Sequence, residues 1–96
     1  MAESKLRNLS VEFSVKIIKL CENIKGHYSL TNQLERSGTS IGANIHEANY
    51  AASKADFINK LQIALKECYE SDYWLGLFKE TNMITKEEYT DMLEAG

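Results

Sequence analysis

The chain contains no proline, only two cysteines and a single tryptophan in 96 residues. Without proline nothing forces a kink in a helix. Strict apolar/polar alternation nowhere persists long enough to argue a β-strand. Cys21 and Cys68 stand outside any CxxC spacing, which removes the common zinc and redox motifs. In a reducing compartment they act as small hydrophobes rather than as a staple. Uncharged apolar runs reach only a few residues, far short of the roughly 20 that a membrane span requires. Residues 1–10 are polar and lack the apolar stretch of a signal peptide. A cytoplasmic chain with no membrane partner is the expectation. Nor is there a basic surplus: net charge is −3, with six Lys/Arg against five Asp/Glu in residues 1–48 and five against nine in residues 49–96. A nucleic-acid binder more usually carries a basic stripe, so nucleic acid is disfavoured as a partner.

What the sequence does have is helical periodicity in four stretches. A chain of this length makes one domain, residues 1–96, and buries only about 60–65% of the surface its unfolded form exposes. Ser4 is a candidate N-cap for a first helix ending near Lys25, with Gly26 suited to the left-handed position after it. Ser29 is a candidate cap for a second helix running to about Tyr50. Ser53-Lys-Ala-Asp56 is a capping-box variant opening a long third helix, about Lys54 to Glu80. Thr85-Lys-Glu-Glu88 is a full capping box opening a fourth helix of only about ten residues. Short connections between helices imply antiparallel neighbours, so the fold class is all-α: an antiparallel up-down four-helix bundle with a short fourth helix. Glu12 with Lys16 and Asp56 with Lys60 have the spacing of ion pairs along solvated faces.

The second helix is unusual. Leu30, Leu34, Ile41, Ile45 and Ala48 recur at helical spacing, yet Gly38 and Gly42 interrupt them. Each glycine costs roughly 1 kcal/mol of propensity against alanine, a cost that makes sense where another element must approach closely.

Helices 1 and 3 have more apolar surface than one core requires. At about 100° per residue, Leu6, Leu9, Phe13, Ile17, Leu20 and Ile24 share one side of helix 1, while Val11, Val15 and Ile18 fall nearly opposite. On helix 3, Phe57, Leu61, Ala64, Leu65, Cys68 and Leu75 form the core stripe, and Ile63, Trp74 and Phe78 lie away from its centre. Val11, Val15, Ile18, Ile63, Trp74 and Phe78 are therefore the expected subunit contacts of a homo-oligomer.

The segment from Gln33 to Ala48, with its Arg36-Ser-Gly-Thr-Ser-Ile-Gly-Ala-Asn44 centre, is the densest motif. With Ser53-Lys-x-Asp-Phe-Ile-x-Lys-Leu-x-Ile-Ala-x-Lys-Glu67 and Glu70-x-x-Tyr-Trp-Leu75, it resembles the bacterial four helix bundle protein family. That family is also named for proteins encoded in intervening sequences of 23S rRNA genes. The likeness extends over about Phe13 to Ile84. It implies a ring-like homopentamer without known enzymatic activity, acting as a scaffold or accessory protein, with itself and a further protein as partners. A related branch, the accessory variability determinant of diversity-generating retroelements, is a basic pentameric bundle. For that branch the resemblance implies a nucleic-acid-binding accessory subunit partnering a reverse transcriptase or rRNA. This chain departs from the pattern in its short fourth helix and its lack of strong positive charge.

Gln33, Ser37, Ser40, Asn44 and Glu47 form a polar row beside the apolar stripe of helix 2. It reads either as a polar seam that could recognise a partner or as side chains satisfied by the facing helix and their own carbonyls. Asp72 lies at the edge of the helix 3 stripe, where either Arg36 or a lysine from a neighbour neutralises it or it faces water. His46-Glu47 is not HExxH, and His27 lies outside that helix, so a zinc-protease face is excluded. A thiol at Cys68 on a core stripe stays protonated. Tyr69, Tyr73 and Trp74 could stack on bases, but Glu67, Glu70 and Asp72 interleave with them and repel phosphate. No catalytic residue, metal or cofactor is expected.

Overall fold

A computed structural model describes the backbone of residues 2–95 and the side chains of residues 5–94. Four helices account for nearly all of it: α1 (Ala2–Glu22), α2 (Tyr28–Ala48), α3 (Lys54–Glu80) and α4 (Lys86–Ala95). No strand occurs among the described residues. Cross-helix pairs set the directions. Ile17 lies against Gly38 and Ser10 against Gly42, while Ser37 meets Ser71 and Glu47 meets Lys60. Numbers that rise on one helix fall on its neighbour, so α1/α2 and α2/α3 are antiparallel. α2 packs along both α1 and α3, and α4 returns between them. None of the described helices is long and apolar enough to cross a membrane.

Local chemistry explains most boundaries. Ser53 is extended (φ −154°, ψ 167°), and its hydroxyl accepts from Asp56 N–H. The Asp56 carboxylate accepts from Ala52 N–H at 3.3 Å, one residue earlier than a standard capping box. At α4 the box is complete: Thr85 Oγ1 accepts from Glu88 N–H at 3.0 Å and Glu88 Oε1 from Thr85 N–H at 2.8 Å. α3 ends in a Schellman motif, in which Asn82 takes the left-handed position at φ 61°. Met83 N–H then donates to Phe78 C=O at 2.8 Å and Asn82 N–H to Lys79 C=O at 3.1 Å. Lys79 Nζ over the Tyr89 ring, 5.0 Å from its centroid, ties α3 to α4.

Two expected caps are not used. α1 is already helical at Ala2 and passes through Ser4. α2 begins at Tyr28, one residue before Ser29, with His27 at its N-cap and no side-chain cap bond. Leu30 and Thr31 N–H groups close instead on the His27 carbonyl. Thr31 and Leu34 are buried, and the Thr31 carbonyl accepts from Cys21 Sγ of α1 at 3.8 Å, tying the first turn of α2 to the end of α1. Gly26 does take a positive φ, 93°, but α1 ends at Glu22 rather than near Lys25, so this glycine turns the connection to α2 instead of closing the helix.

The core joins Phe13, Ile17, Leu20 and Ile24 of α1 to Leu34, Ile41 and Ile45 of α2, Ala64, Leu75 and Phe78 of α3, and Met92 of α4. Phe78 was expected at a subunit contact, but it is 0% exposed. The returning segment 81–85 folds back onto the end of α3 and encloses it. Leu6, Leu9, Leu65 and Cys68 were expected in the core and are exposed. For Leu6, Leu9 and Cys68, which line one groove, the cause is the length of α4: at 1.5 Å per residue its 10 residues span about 15 Å, against about 40 Å for the 27 residues of α3, whereas Leu65 lies on the outward side of α3. Lys16 and Lys60 pair between helices, with Asp91 and Glu47 at 3.4 Å each, rather than along their own helices.

Candidate self-association surface

Val11, Val15 and Ile18 lie on the outer side of α1 and are 49%, 42% and 41% exposed. Their i, i+4, i+7 spacing makes one ridge about 10 Å long. The three α3 residues expected to join them do not. Phe78 is buried and Ile63 half-buried. Trp74 is half-buried against the core, and its Nε1–H donates to Glu70 Oε2 at 3.1 Å. In their place α3 exposes Ile58, Leu65, Tyr69 and Tyr73. Their recurrence at seven- and four-residue spacing was visible in the sequence. Including Leu65 and Cys68 in the core stripe had turned the assumed buried direction away from its true centre at Ala64, Ser71 and Phe78.

Beyond the end of α4 an apolar groove opens, with a cavity volume of about 320 Å³. Leu6, Leu9 and Phe13 of α1 form one wall, and Cys68 and Leu75 of α3 the other. Ile41 and Ile45 of α2 form the floor, and Met92 and Leu93 close one end. Asp72 lines the rim and is exposed. Cys68 presents its thiol to the groove wall, where burial first, and then the Glu67 charge, raise its pKa above the ordinary thiol value. Burial also pushes Cys21 up to about 12, helped by the Glu35 charge. Both thiols are thus held in the unreactive form.

The polar row of α2 finds partners inside the chain. Ser37 is 0% exposed; its Oγ donates to Leu34 C=O at 3.3 Å and accepts from Ser71 Oγ at 2.9 Å. Ser40 Oγ donates to Arg36 C=O at 2.6 Å and Asn44 Nδ2 to Ser40 C=O at 2.8 Å. Glu47 carries the ion pair to Lys60, while Gln33 is exposed. Arg36 does not reach for Asp72. It forks onto Glu67, at 3.1 Å, and onto Glu70. The hydrogen bond to Glu70 raises the Arg36 pKa above the usual guanidinium value. Hydrogen bonds from Arg36, then Trp74, hold Glu70 below the ordinary carboxylate value. No buried side-chain polar atom among the described residues lacks a partner. Nor do three or more His, Cys, Asp or Glu converge there as metal ligands.

The groove, ridge and clamp sit on a fold with known relatives. The family model described as 23S rRNA-intervening sequence protein matches residues 2–95. A solved structure from Bacteroides thetaiotaomicron VPI-5482, described as a protein with unknown function from the S23 ribosomal protein family, superposes with a TM-score of 0.88. It is 46% identical, and the match covers 94% of this chain and 86% of that one. No functionally curated protein matches the chain. A family match over nearly the whole length, with the same fold at 46% identity, places it plainly: the chain belongs to the 23S rRNA-intervening sequence protein family.

Proposed function

We propose that this protein is a non-enzymatic, cytoplasmic homo-oligomer, a ring-like pentamer of helical bundles that serves as a scaffold or accessory protein. The ridge of Val11, Val15 and Ile18 carries this reading: three branched apolar side chains stand together in water with no partner in their own bundle.

Light scattering behind size exclusion, with absorbance at 260 and 280 nm across the peak, tests the proposal. The expected result is a mass near five chains and a protein-like absorbance ratio. A mass of one chain would refute self-association. Excess 260 nm absorbance on the oligomer would favour a nucleic-acid-binding subunit instead, despite the net charge of −3.

A further inference from the structure

We draw no further inference here: the strongest candidate, the surface patch of Ile58, Leu65, Tyr69 and Tyr73 on the outward side of α3, is an unpartnered helix face, and nothing in the structure shows what covers it.

Discussion

Ser71 Oγ donates to Ser37 Oγ at 2.9 Å across the α2/α3 contact, with the two residues 1% and 0% exposed. Two small hydroxyls let the helices close and satisfy each other where larger side chains would hold them apart. Ser37→Ala leaves a buried Ser71 hydroxyl without its acceptor, costing about 1–2 kcal/mol. Replacing both by alanine removes donor and acceptor together, so the double variant should lose less than the two single losses added. Urea denaturation of the four proteins measures this coupling. Simple additivity would show that the pair contributes nothing jointly.

The glycines of α2 and α3 should respond to alanine in opposite directions. A Cβ at Gly38 would lie 3.0 Å from Ile17 Cγ1 and 3.1 Å from Cγ2. Ile17 is itself 0% exposed and branched, so it cannot swing aside. Gly38→Ala should destabilise by about 1–3 kcal/mol despite its better helix propensity. A Cβ at Gly76 meets nothing within 4 Å, so Gly76→Ala should stabilise by about 0.5–1 kcal/mol. Gly42→Ala, at 3.3 Å from the Ser10 hydroxyl, should fall between them. Thermal unfolding ranks the three, and a stabilising Gly38→Ala would refute the close-packing role of that residue.

Asn82 is the described non-glycine residue at positive φ, 61°, and it closes α3 through the Schellman bonds onto Phe78 and Lys79. Asn82→Ala should cost about 1 kcal/mol, since alanine resists the left-handed conformation. Asn82→Gly should be neutral or slightly stabilising. Comparing denaturation midpoints decides this, and an alanine variant as stable as wild type would argue against strain at this turn.

The features legible in the sequence are those fixed within a few residues. Ser53, Thr85 and Gly26 mark their turns through their own hydroxyls or lack of a side chain, and the α3 and α4 boundaries followed from them. A stripe angle was less informative, because it gives a direction without saying what lies there. Leu6 and Leu9 point toward the α4 side of the bundle, but α4 ends before reaching them. Phe78 points beside the assumed stripe and is covered by residues that come back after the helix has ended. Arg36 lies between acids on α3 that are more than thirty residues distant in sequence. Its choice of Glu67 and Glu70 over Asp72 depends on the register of α2 against α3.

That choice gives the protein an acid-sensitive clamp. Glu70 has its pKa depressed below the carboxylate value of 4.5 by hydrogen bonds from Arg36 and then Trp74. A depressed carboxylate contributes stability that is fully present above its unfolded pKa and is lost as pH falls through the folded one. The loss should therefore lie below about pH 4.5. Arg36 stays charged throughout and adds no slope of its own. Arg36 is half exposed, so solvent screening limits the contribution to about 1 kcal/mol or less. Glu70→Gln should lower stability at pH 7 by that amount, and the gap to wild type should narrow as the pH falls below about 4.5. Guanidinium or urea midpoints from pH 3 to pH 7 measure the difference. A gap between the two proteins that stays constant with pH would show that Glu70 acts through packing rather than charge.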